Sequence, residues 1–294
     1  MEHPVAARPR KSSATQRKSL KHLRRSSIAL AVAAALPSAQ AASDIWIDNA
    51  NGNWSTGSNW STGSAPTGAT AVAQFGAGSH TSVSTSSDVT VGALTFVNAP
   101  AYTFMLAQDT TLTLLGAGIQ MTSSSAPTLR ANTANIVFGS SAASSPSTSA
   151  ASANLMALNG GSITFNGTST NANAQLSVDG SSLATFNDSS TAGTALAVLT
   201  NNGNVTFAGS SNAGSATINT GAGATTYFQE NSSAQTSVLN VSGTPGLVGS
   251  AIFLDNVSTP ESQARIREAF ERGFQTREAE LNLAALLGDL ATAG

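Results

Sequence analysis

The sequence predicts an all-β fold: a right-handed parallel β-helix of about 21 residues per coil, followed by a short α-helical C-terminal tail. Three observations carry this prediction. Phe165, Phe186, Phe207 and Phe228 recur at one even step in a chain that is only 5% aromatic. Short β-prone runs such as SITF, LATF and NVTF lead into these residues, and Gly, Asn and Ser separate the runs. No helical periodicity occurs before Pro260.

Residues 1–41 read as an export signal. Lys11, Arg17, Lys18, Lys21, Arg24 and Arg25 make a basic leader, IALAVAAAL (Ile28 to Leu36) an apolar core, and Ala39-Gln40-Ala41 a small-x-small cleavage pattern. The nine residues of that core fall short of the roughly twenty that a membrane anchor needs. The residues around Arg24-Arg25 match a twin-arginine signal poorly, so ordinary Sec export is expected. That route places a mature chain starting at Ala42 in the periplasm, at the cell surface or outside the cell, with no membrane span.

Residues 42–130 are expected to form an N-terminal cap and the first coils, built on runs such as ATAVAQF, VTVGALTFV, YTFML and TLTLLG. All three tryptophans, Trp46, Trp54 and Trp60, lie at its start. They could form a sugar-stacking platform, but their clustering favours a plug over the apolar end of the first coil.

Residues 131–257 hold the repeat. Counting from each Phe, position four is Ser169, Ser190, Ser211 and Ser232, and position nine is Ala174, Ala195, Ala216 and Ser237. A hairpin meander would not fix a small residue and an aromatic in every copy. A coil does, because each Phe then stacks on the one below at a strand spacing of about 4.8 Å. Coiling throughout from Ser43 to Thr259 would give roughly ten turns. The intervals from Phe138 to Phe165 and from Phe228 to Phe253 are longer than the step between the other Phe residues and call for longer loops.

Residues 258–294 change character. Thr259-Pro260-Glu261 is a plausible helix start, and Arg267 with Glu271 and Glu268 with Arg272 can pair four residues apart. Ile266, Phe270 and Phe274 then share one face. This tail either covers the open end of the solenoid, docks elsewhere, or is a partly ordered extension.

Charge and composition exclude several functions. Eight of the 13 Lys and Arg lie in the first 25 residues and four follow Thr259, which leaves Arg130 as the one base between Ser43 and Thr259. That region lacks the basic footprint of a nucleic-acid binder, so no nucleic-acid partner is expected. With no cysteine, neither a disulfide frame nor a thiolate site is possible. His80 is the only histidine after residue 41 and has no second ligand for a metal. Asp48 to Asn53 (DNANGN) lacks the spacing of a calcium loop and reads as a turn. Asp44, Asp48, Asp88, Asp109, Asp179, Asp188, Glu230 and Asp255 are the acids of the region. Asp179 and Asp188 fall at different repeat places, so no stacked column of acids is expected for acid and base work. No Ser or Thr has a base beside it in sequence to activate it. No catalytic, cofactor-binding or metal-binding residue is therefore expected, and no cofactor.

Two stretches carry a family resemblance. WIDNANGNWSTGSNWSTGSAPTGATAVAQFGAG from Trp46, followed by TVGALTF and AYTFMLAQDTTLTLLGAGI, is similar to the Trp- and Asn-rich opening of bacterial autotransporter passenger regions. The repeat FAGSSNAGSATI (Phe207 to Ile218) resembles their autotransporter-associated β-strand repeats. Together the stretches cover most of Ser43 to Phe253. The resemblance implies a non-enzymatic adhesin, aggregation factor or stalk. Its implied partners are host or bacterial surface glycans or proteins, or further copies of itself. The family also ends in a membrane β-barrel, whereas the 41 residues after Phe253 lack barrel strands. A truncated passenger, or release by another route, is the corresponding expectation. A polysaccharide-binding or polysaccharide-degrading β-helix is the alternative.

Overall fold

The computed structural model describes residues 43–47, 52–78, 80–142, 146–244, 247–248 and 250–253. The export leader (1–41) and the helical tail (258–294) lie outside these residues.

Within the coils, strands pair in parallel with the strand one turn away. They build a ten-stranded sheet, from Asp44–Ile45 to Ser250–Phe253, and an eight-stranded sheet, from Ser82–Thr85 to Val238–Val241. A third side is held by single bridges in register, Gly118 to Ser149, Thr170, Thr191, Asn212 and Ser233. The result is a parallel β-solenoid. Eight coils contribute a strand to both sheets, fewer than the ten expected. Part of the difference lies at the start, where Trp46 bridges Trp60 in antiparallel fashion and the chain forms a plug, and part in coils longer than the repeat step.

Alternation sets the core. In Leu183–Phe186, Ala184 and Phe186 are buried while Leu183 and Thr185 face outward, as a period of two requires. Phe138, Phe165, Phe186, Phe207 and Phe228 are paired in register along the ten-stranded sheet. Their successive ring centroids are 4.7–4.8 Å apart, with planes within 8° of parallel. The centroid step equals the strand step, so the backbone ladder fixes the stack. The two irregular intervals are coils with longer loops. Phe138 stays opposite Phe165 and Phe228 opposite Phe253, and the extra length beyond Phe228 includes the small antiparallel pair Gly243–Thr244 and Leu247–Val248.

Two expectations about the repeat are corrected. First, the aromatic column does not run the whole length. Below Phe138 its place is taken by Leu114 and then Val91. Phe75 and Phe96 stack at 5.2 Å in a different column, one that continues into Met121. The cause is the long strand Thr111–Met121, whose first half pairs onward with Asn135–Phe138 while its second half returns to Ala93–Phe96.

Second, Ala195 does not hold the small-residue place. Gln175 pairs with Val198, later in the chain than the even step would put its partner, and Val198 pairs with Thr217, correspondingly earlier. Two residues are inserted before the Val198–Asn201 strand and two removed after it, so the Phe step is unchanged while the strand between slips by two. Ala197 fills the buried column with Ala174 and Ala216, and Ala195 and Leu196 are pushed outside. The shortened turn is closed by buried Asn201. Its amide donates to the Thr225 carbonyl (2.9 Å) and the Thr226 hydroxyl (3.0 Å), and its Oδ1 accepts from the Gly203 N–H (3.0 Å).

Candidate functional surface

The tryptophans are built into the core. Trp46, Trp54 and Trp60 are 4%, 3% and 1% exposed, so no face remains for a sugar. Trp60 sits edge-on to Trp46 (5.1 Å) and Trp54 (4.8 Å), and all three rings reach Phe75 at 6.0–6.3 Å. The Trp60 indole N–H donates to the Trp54 carbonyl at 2.7 Å. These residues seal the first coil, as their clustering in sequence suggested.

Asp44 fastens this plug. Its carboxylate accepts from the hydroxyls of Ser61 and Thr62 and from the N–H groups of Thr62 (2.9 Å) and Ile45 (2.7 Å). Burial pushes the carboxyl up, but these hydrogen bonds to the charged form outweigh it and hold the group below the ordinary carboxylate range. The sign follows. A lowered folded-state value stabilises the plug above the unfolded value and is lost as pH falls through the folded one. Acid titration is therefore expected to shift tryptophan emission to the red below about pH 4. Asp44→Asn should already be shifted at neutral pH and show little further acid step. An identical acid transition in both proteins would contradict this role.

The remaining described acids serve the turns. Asp179 accepts from the Asn159 N–H (2.6 Å) and the Ser182 hydroxyl (2.6 Å), and Asp88 from the Thr111 N–H (2.9 Å). Two acids do share a repeat place. Asp188 and Glu230 both stand two past their Phe and alternate with Gly167 and Gly209 in one column. All four have positive φ, 56–66°. Each carboxylate accepts the N–H of the glycine one coil below, Asp188 from Gly167 (2.8 Å) and Glu230 from Gly209 (2.5 Å). A charge-assisted bond of this kind offsets part of the cost of a left-handed non-glycine residue. The two acids are thus kept two coils apart and tied to backbone.

His80 is exposed, and Asn53 forms a turn in which its side chain accepts the Ser55 N–H at 2.9 Å. The rest of the DNANGN stretch, Asp48 to Asn51, and Asp255 lie outside the described residues. Among the described residues no group of three or more His, Cys, Asp or Glu could hold a metal ion. No described helix is long and apolar enough to cross a membrane.

Much of the outer faces consists of ladders of uncharged polar groups, interrupted on the eight-stranded sheet by exposed Met105 and Arg130. On the ten-stranded sheet Thr164, Thr185 and Thr206 stand in register, with Thr113 further along the same column. Between coils, Asn187 donates to Asn166 (2.9 Å), Asn240 to Asn219 (2.8 Å) and Ser162 to Asn135 (2.6 Å). The outside of the eight-stranded sheet carries a shallow groove of about 310 Å³, lined by Thr128, Asn154, Met156, Gln175, Ser177 and Val198 among others. The inserted residues lie at its margin, where the Gln175 amide donates to the Leu196 carbonyl (3.2 Å) and the Leu196 side chain is 69% exposed. Reading the repeat in even steps put Leu196 in the strand at the place of Gln175, whereas the strand begins two residues later at Val198. The signal missed was the short NNGN turn after Asn201, two residues briefer than VDGSSL in the preceding unit. Comparison of the chain with protein-family models, curated proteins and solved structures finds no match.

Proposed function

We propose that the chain is an exported β-helical repeat protein of the cell surface, periplasm or extracellular space, acting by non-enzymatic contact in adhesion, aggregation or as a structural spacer. The observation that carries this reading is the register of uncharged hydroxyl and amide groups across successive coils. A surface of that kind makes many weak contacts of the same sort, which suits attachment to extended glycans, to proteins or to another copy. The autotransporter-like opening and repeat agree with it, as does the leader IALAVAAAL. The groove beside Leu196, where hydroxyl and amide groups edge a mostly apolar lining that includes Met156 and Val198, favours polysaccharide binding as the second reading.

Latex beads coated with the purified chain test both. Coated beads are expected to clump or to adhere to cells or glycan-coated surfaces where bare beads do not. Coated beads that behave as bare ones would sink the proposal. Turnover of any member of a polysaccharide panel would put the enzyme first.

A further inference from the structure

The two ends of the solenoid differ. The first coil is closed by Trp46, Trp54 and Trp60. At the other end, Val238–Val241 is the last strand of its sheet among the described residues, and among them it has a paired neighbour on one side only. The Val238 and Ser242 N–H groups point back to Ala216 (3.0 Å) and Thr220 (2.8 Å). In a parallel ladder the peptide groups of Leu239 and Val241 must then face the open side. Their side chains continue inward columns. Leu239 is in register with buried Ile218, and Val241 with buried Thr220, yet Leu239 is half-buried and Val241 is 45% exposed. Among the described residues the core is therefore cut open here, with an unpaired edge beside it.

We propose that residues 260–274 of the same chain cover this end, with Ile266, Phe270 and Phe274 laid over Leu239 and Val241. Three observations select this occupant. The last described strand, Ser250–Phe253, has Cα atoms within 8 Å of the Val238–Val241 strand, so the chain leaves from the open end itself. Another coil would need a strand one repeat step after Val238–Val241, and that position holds Thr-Pro-Glu-Ser, whose Pro and Glu are depleted in strands. From Pro260 the apolar spacing changes to the helical one, giving a single apolar face opposite paired charges. The six residues 254–259 can span about 20 Å, enough to cross the end of one coil. A second copy is the less suited occupant. Its first coil is sealed by the tryptophans, which rules out head-to-tail stacking on the open core.

The chain has no cysteine, so cysteine pairs report directly. In the full chain, Val241→Cys is combined with Ile266→Cys, Phe270→Cys or Phe274→Cys and oxidised mildly. At least one pair is expected to close an intramolecular disulfide, which needs Cα atoms within about 7 Å. Ser64→Cys, at the sealed end, is the control partner for the same three positions. Links that are only intermolecular would assign the edge to a second copy, and links no more frequent than the control would overturn the proposal. The double variant Phe270→Asp/Phe274→Asp gives an independent reading. Hydrogen exchange of the peptide over residues 238–242 should become severalfold faster, and unchanged exchange would also overturn it.

Discussion

Phe186→Ala is expected to cost about 3–5 kcal/mol, the range for removing a buried aromatic ring from a core that cannot collapse around the gap. Phe186 lies fully buried between Phe165 and Phe207, 4.7 and 4.8 Å from them. Relaxation is blocked because each neighbour is pinned by its own strand register. The form of the unfolding curve should change as well. In a solenoid, stability is nearly a sum of coil terms and nearest-neighbour interfaces. Weakening both interfaces of one interior coil should uncouple the two sides. Guanidinium unfolding, followed by circular dichroism and by tryptophan emission, should give coincident curves for the parent chain. For the variant the curves should separate, since the tryptophans report only the first coil. A loss under about 1 kcal/mol would mean that the ladder packs too loosely to act as described.

Gly193→Ala is expected to be as damaging, although it adds one methyl group. Gly193 has φ of 105°, and a Cβ there would lie 2.1 Å from the Ala172 carbonyl oxygen and 2.8 Å from its nitrogen. These are backbone atoms of the coil below, and they cannot turn aside as a side chain would. The strained backbone costs about 1–3 kcal/mol, and overpacking adds about 1–3 kcal/mol. Gly180→Ala is the control, because its nearest atom would be 3.6 Å away and its φ is not in the left-handed range. Parallel thermal melts should leave the Gly180 variant near the parent and move the Gly193 variant well below it. Equal melting temperatures for the two would remove the argument from close coil contact.

The repeat made the coil legible from sequence. An aromatic and two small residues at constant places are what a stacked interior demands, and Phe165, Ala174 and Ser169 are all buried in their columns. The slip at Val198–Asn201 was hidden because an insertion and a deletion of equal size cancel before the next Phe. A periodicity anchored on one residue type does not register such an event. The switch of column between Phe96 and Phe138 was hidden differently. Leu114 and Val91 fill the aromatic place with ordinary apolar side chains, so composition gives no sign of it. The acids were read one at a time from their spacing to Phe, and the shared place of Asp188 and Glu230 was passed over. The sealed tryptophans followed from their position in the chain. The groove could not, since it depends on which loops project, and loop projection leaves no period.

The alternation of Gly167, Asp188, Gly209 and Glu230 limits how an array like this one can lengthen. Copying a single unit around Asp188 would set one carboxylate directly on another, a strand spacing of about 4.8 Å apart. Copying two units together keeps a glycine beneath every acid. Along this edge, gene duplication or deliberate extension that moves in pairs of coils preserves the pattern, and an odd step breaks it.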